Sequence, residues 1–176
     1  MRIISGIYKS RILKSPHKAE TARPTTDRAR ETLFNILNNL LEFDEIFCLD
    51  LFCGTGSFGL ECISRGAEQA VFVDTNTRII EENIESLKAG DKCSVIKKDV
   101  LSYLKKDYDG MCNLVFADPP YAYKDYDELI HLISPYEAYL ILEHSEKFNY
   151  FGEYSPEIFL TKKIGFTCFT FFNFNK

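Results

Sequence analysis

Four consecutive residues, Asp118-Pro119-Pro120-Tyr121, carry the groups best suited to chemistry in this 176-residue chain. An exocyclic amine on an aromatic ring is a poor nucleophile, because its lone pair is delocalised into the ring. Two fixed acceptors, the Asp118 carboxylate and the Pro119 carbonyl, can bind its hydrogens and draw the nitrogen toward tetrahedral geometry. They also stabilise the positive charge that develops there. Two prolines fix φ and hold the acceptors rigid, and Tyr121 offers a flat face on which an extruded base can stack. A lone tetrapeptide of this kind also suits a strand-ending turn with a buried tyrosine, so its surroundings decide.

Those surroundings include the run from Asp50 to Gly59, Asp-Leu-Phe-Cys-Gly-Thr-Gly-Ser-Phe-Gly. Gly54 and Gly56 let the backbone turn sharply and approach a ligand. Gly59 lets the following helix pack closely on the strand, and that helix's N-terminus presents N–H groups to an anion. Asp74, 20 residues beyond Gly54, is placed to hold ribose hydroxyls. Glycines plus Asp74 suit NAD as well as S-adenosylmethionine. Asp50 tilts the choice, since a carboxylate in the cradle repels a pyrophosphate but tolerates a sulfonium cation. Asp99 can accept from an adenine amino group, cap the next helix, or do both.

An alternation of elements positions these groups. Short apolar runs at 46–51, 70–74, 93–97, 113–117 and 138–143 read as strands, with helices at 58–65, 76–89 and 125–133 and a helical turn through Leu104 between them. That pattern predicts an α/β, Rossmann-like, mostly parallel sheet. Runs at 157–162 and 166–174, joined through Gly165, predict a C-terminal antiparallel hairpin that brings the sheet to seven strands. Phe166, Phe169, Phe171, Phe172 and Phe174 are expected in the core. Ahead of the sheet, 2–14 suggests a small β-hairpin and 15–24 a loop. A helix starts near Thr26 or Asp27, with Ala29, Leu33, Ile36, Leu37, Leu40 and Leu41 inward.

Net charge is −5, yet residues 1–30 carry +6, leaving −11 for the other 146. A basic segment on an acidic body suits phosphate binding as readily as a solvated terminus. The expected RNA contacts are Arg2, Lys9, Arg11, Lys14, Arg23 and Arg28. Six scattered cysteines without a CxxC pair, together with the lack of a leader or an apolar span, imply a reduced cytoplasmic protein without a metal site.

The chain resembles the RsmD family of ribosomal RNA guanine-N2 methyltransferases over nearly its whole length. The resemblance is carried by Arg2-Ile3-Ile4-Ser5-Gly6, by Arg23 through Asn35 (the most specific stretch), by Asp50 to Gly59, by Ser64-Arg65-Gly66-Ala67 and by Asp118 to Tyr121. It implies a class I methyltransferase fold over 25–176 and a basic RNA-contacting hairpin and loop over 1–24. It also implies S-adenosylmethionine as cofactor and a guanine of 16S RNA as substrate, in free RNA or the assembling 30S particle. A monomer without metal or membrane contact is expected. Thr25, Arg28 and Arg30 would lie near the cofactor's amino-acid end or the RNA. Ser5 and Ser10 stand where the family usually has glycine, and Asp74 where it usually has glutamate.

Two alternatives remain at this level. An N6-adenine methyltransferase on DNA or RNA can use the same Asp-Pro-Pro-Tyr logic, and a non-catalytic RNA-binding assembly factor needs only the basic segment. An NAD oxidoreductase has no use for Asp118 to Tyr121, and protein amide methyltransferases usually carry Asn at that aspartate.

Overall fold

A computed structural model describes residues 1–15, 27–146, 148 and 152–175. Seven strands form one sheet: β1 (Phe47–Leu51), β2 (Gln69–Asp74), β3 (Cys93–Lys97), β4 (Leu114–Ala117), β5 (Tyr139–Ser145), β6 (Ile158–Ile164) and β7 (Thr167–Asn173). Their order is β3-β2-β1-β4-β5-β7-β6. The first five are mutually parallel, and β7 joins β5 and β6 antiparallel. This is the Rossmann-like sheet with a terminal hairpin that the alternation of runs implied.

Helices cover both faces because β1, β4 and β5 are apolar on both sides. On one face lie α1 (Asp27–Leu37), α2 (Ser57–Arg65) and α3 (Arg78–Leu87), packed on Cys48, Phe72, Phe116, Ile141 and Phe169. On the other lie α4 (Val100–Lys106) and α5 (Tyr126–Ile133), packed on Leu49, Leu51, Ala117 and Leu142. Gly59 makes the α2 contact possible, since a Cβ there would lie 2.5 Å from the Phe72 ring.

Three expectations change. α1 ends at Leu37, so Leu40 is exposed; Ile36 and Leu41 are half-buried against the core, and Arg30 and Phe34 join the buried side. Phe34 wins its place by stacking on Phe58 of α2, at 5.2 Å. Phe166 sits in the β6–β7 turn beside Gly165 and is 65% exposed, whereas Phe169, Phe171, Phe172 and Phe174 are buried. The N-terminal hairpin has a single bridge, Arg2 to Ile12, in place of two strands. Arg23, Thr25, Thr26 and most of the loop over 15–24 lie outside the described residues.

What holds that hairpin is α2. Glu61, fully buried, accepts from Ile4 N (2.7 Å) and Ser5 N (2.9 Å), and also from Arg65 Nε (2.8 Å). Ser64 accepts from Ile7 N through its carbonyl and from Tyr8 N through Oγ. Gly6 adopts φ +80°, and a Cβ there would fall 1.7 Å from Ser64 O. Ile3 and Leu13 complete the dock as core residues. A fully buried carboxylate shared between two backbone donors and Arg65 is strong anchoring, because losing the backbone donors leaves part of its acceptor capacity unmet in a low dielectric.

Candidate active site

Strand order reverses between β1 and β4, and in open sheets of this kind ligands bind beyond the strand ends at such a point. The loops after β1 and β4 carry the two motifs singled out from the sequence. Asp50, within β1, turns toward α2 and accepts from Gly59 N at 2.9 Å. The glycine loop follows: Gly54 and Gly56 have φ +51° and +73°, and a Cβ on Gly56 would lie 1.9 Å from Ile80. Gly54 N donates to Asp74 at 2.9 Å, so the carboxylate at the end of β2 fixes the loop with one oxygen. Its other oxygen accepts from Asn76 N.

The sequence alone did not single out Asn83. Buried on α3, it donates to Thr55 O (2.9 Å) and exchanges hydrogen bonds with the backbone of Lys14 (2.7 and 3.2 Å). One amide side chain thus ties the glycine loop to the end of the basic hairpin. Nothing in the sequence pattern marks it except its polarity on an otherwise inward helix face. Asp99 caps α4, accepting from Ser102 N at 2.9 Å. One of its two oxygens does this work, so the cap is compatible with a second partner.

Asp118 follows β4, its backbone N–H reaching Leu51 O of β1 at 3.5 Å. The residue is open to solvent on one side, yet protein crowds the carboxyl on the others. That burial pushes it up to about 7. Asp50 is also raised well above the usual carboxylate range, by burial first, with Asp118 and Asp74 adding repulsion against the bond from Gly59. Pro119 is buried, Pro120 is exposed, and Tyr121 is 65% exposed beside them. The buried-tyrosine reading of the motif therefore fails, since Tyr121 is open to solvent. Tyr123 N donates to Pro120 O at 2.8 Å, closing the turn, and the Tyr123 ring meets Phe52 edge-on at 5.2 Å. Phe52 itself holds φ +56°, a left-handed conformation that non-glycine residues enter at a cost. The two loops are thus braced against each other by aromatic contact.

The basic side chains divide. Lys9 and Arg28 are exposed. Arg2 pairs with Asp27 (3.3 Å), Lys14 with Glu82 (3.1 Å), and Arg11 donates to Ser86 O (3.0 Å). Arg30 is buried, donating to Arg2 O and Asp27 from one nitrogen. Its Nε and second terminal nitrogen have no partner among the described residues. Among the described residues no cluster of His, Cys, Asp or Glu is arranged to hold a metal. No helix among them is long and apolar enough to cross a membrane.

Comparison with known proteins agrees with this layout. The Escherichia coli K12 protein named ribosomal RNA small subunit methyltransferase D is 38% identical over 124 residues, 69% of this chain and 60% of that protein. Its namesake from Haemophilus influenzae is 35% identical over 128 residues, 70% of this chain and 65% of that one. The match therefore spans somewhat under two thirds of these relatives' lengths. The solved chain yhhF of Escherichia coli superposes with a TM-score of 0.80 at 31% identity, covering 98% of this chain and 97% of its own. The family model described as conserved hypothetical protein 95 matches residues 1–173, and the chain belongs to that family, the RsmD family its motifs resemble.

Proposed function

We propose that this chain transfers a methyl group from S-adenosylmethionine to the exocyclic N2 of a guanine in 16S ribosomal RNA. It would act as a cytoplasmic monomer on the RNA or on the assembling 30S particle. The observation that carries the reading is the Asp118 carboxylate, set beside a proline-fixed carbonyl and across the switch point from a glycine loop. The relatives' name supplies the RNA.

The residues fit the cofactor. Two carboxyls raised by burial, Asp50 (with repulsion from Asp118 and Asp74 added) and Asp118, are what a cation would relieve. Gly54 and Gly56 keep the cradle free of side chains, Asp74 retains acceptor capacity for ribose hydroxyls, and Asp99 does so for an adenine amine. When bound, S-adenosylmethionine supplies a methyl group on a positively charged sulfur.

The chain's own groups do the rest. Tyr121 stacks the extruded base. Asp118 Oδ and Pro119 O accept the two amine hydrogens and orient the nitrogen. As positive charge grows on that nitrogen, Asp118 stabilises it and takes the departing proton; a carboxyl near 7 is well matched to that exchange at neutral pH. Residues 1–24, with Lys9 and Arg28, supply phosphate contacts. The surface pairs of Arg2 and Lys14 are weak enough for a phosphate to displace.

The test is labelled methyl transfer to undermethylated small subunits, followed by nucleoside mass spectrometry. N2-methylguanosine is expected. Methyladenosine as the product, or thermal stabilisation by NAD and not by S-adenosylmethionine, would overturn the proposal.

A further inference from the structure

β5 carries an acid near its C-terminal end, as β1 does with Asp50 and as β4 does with Asp118 just beyond it. In register, Ala117 of β4 pairs with Leu142 of β5, the last pair between these strands, and Asp118 and Glu143 are the next residue along each chain. Successive strand residues alternate faces. Phe116 and Ile141 face α1 and α2, and Ala117 and Leu142 face the other layer. Asp118 and Glu143 therefore return to the α1–α2 side together. Glu143's antiparallel partner, Phe169, lies on that same side. Asp50, paired with Phe116, faces it too, and its carboxylate touches Gly59 of α2. The ends of three adjacent strands thus bring Asp50, Asp118 and Glu143 toward one face. Asp50 serves the glycine loop and Asp118 the amine. The reaction as proposed gives Glu143, only 7% exposed, no task.

The chemistry of the two candidate bases assigns one. On guanine's pairing edge the 2-amino group neighbours a ring N1–H, so two donors stand side by side. On adenine the 6-amino group neighbours a bare N1 lone pair. An ionised carboxylate only accepts hydrogen bonds. A second carboxylate beside Asp118 thus complements the two donors of guanine and repels adenine's lone pair. Sites built to bond a substrate N–H reject analogues that lack it by large factors. We infer that Glu143 is the specificity-determining residue of this site, accepting the ring N1–H of a guanine whose 2-amino group is held at Asp118. The inference rests on the methyl transfer proposed above.

2-Aminopurine separates the two ideas, because it keeps the 2-amino group and replaces N1–H by a lone pair. Small subunits are reconstituted with guanine or 2-aminopurine at the methylated position, and kcat/KM is measured for each. Wild type should prefer guanine by about a hundredfold or more. Glu143→Gln, whose amide can donate to the lone pair, should bring the ratio within about tenfold of unity, mainly by losing rate on guanine. Calorimetry with S-adenosylmethionine should give the wild-type affinity for this variant, which shows an intact cofactor site. Equal use of both bases by wild type overturns the role of Glu143 even if the variant fails to fold. So does an unchanged preference in a folded variant. Failure of wild type to methylate guanine overturns the underlying methyl transfer instead.

Discussion

The loop after β1 and the loop after β4 meet at the same switch point but are built differently. The first is fixed from within: Gly54 to Asp74, Gly59 to Asp50 and Thr55 to Asn83 are hydrogen bonds between loop backbone and buried or half-buried side chains. The second is fixed by covalent stiffness, two prolines and one turn bond. It presents to the opening a crowded carboxyl and an exposed ring. Hydrogen bonds that order a cofactor cradle also stabilise the fold, whereas a carboxyl crowded by burial, Asp118 at the opening or Asp50 behind the cradle, costs stability once ionised. Mutations in the two loops should therefore separate stability from turnover.

The widest separation is expected at Asp118. Asp118→Asn keeps the shape and one acceptor oxygen but loses the charge, and turnover should fall by about 10²- to 10⁴-fold. The melting temperature at pH 8 should hold or rise, because a carboxyl raised by burial destabilises the fold once ionised. A variant that retained turnover, or that melted well below wild type, would erase the contrast between the loops.

The opposite outcome is expected at Gly6, which belongs to the docked hairpin. Gly6→Ala forces a Cβ against Ser64 O in a left-handed backbone. It should cost about 2–3 kcal/mol, read as a lower urea midpoint. Cofactor affinity in the folded fraction should change little. The buried Glu61 makes this segment part of the core, so deleting 1–14 would confound RNA affinity with stability, and point variants are the sharper tool.

The fold was legible because strand and helix periods alternate without interruption from residue 46 onward, and because β-branched and aromatic runs close the chain. The motif residues were legible because glycines and prolines constrain backbone wherever they stand. What was missed follows from side chains whose role needs a partner far off in sequence. Asn83 bonds Thr55 and Lys14, Glu61 bonds Ile4 and Ser5, and Arg30 is buried under Arg2. Periodicity marks such residues as polar interruptions and says nothing of what they reach. Glu143 was visible only as a strand end; its place beside Asp118 exists only in the register.

A pH series tests the crowded carboxyl itself. Asp118 has its folded value near 7 and its unfolded value near the ordinary 3.8. Stability from this group is therefore full below about pH 4 and is lost as pH rises toward 7. Catalysis runs the other way, since the ionised form is the working one. The acid limb of kcat/KM should fall about tenfold per pH unit below 7. A limb near 4 would mean that the carboxyl is not crowded in the free enzyme.

A smaller effect is expected from Lys9 and Arg28, the exposed cations. Replacing both with alanine should reduce the logarithmic salt slope of RNA binding by about 1.4–1.8, with the melting temperature unmoved. An unchanged slope would assign the basic segment to solvent.

The smallest expected effect is at Ser10, which holds φ +68° where the family usually has glycine. An L-residue in that region costs about 1–2 kcal/mol, partly offset by the entropy that glycine adds to the unfolded chain. Ser10→Gly should therefore stabilise the chain by about 0.5–1 kcal/mol. Because Ser10 N still donates to Ile3 O across the hairpin, the gain should appear as slower amide exchange in residues 3–13 and leave turnover unchanged. A loss of stability would mean that the serine side chain contributes more than its backbone strain removes, and that this departure from the family pattern has its own compensation.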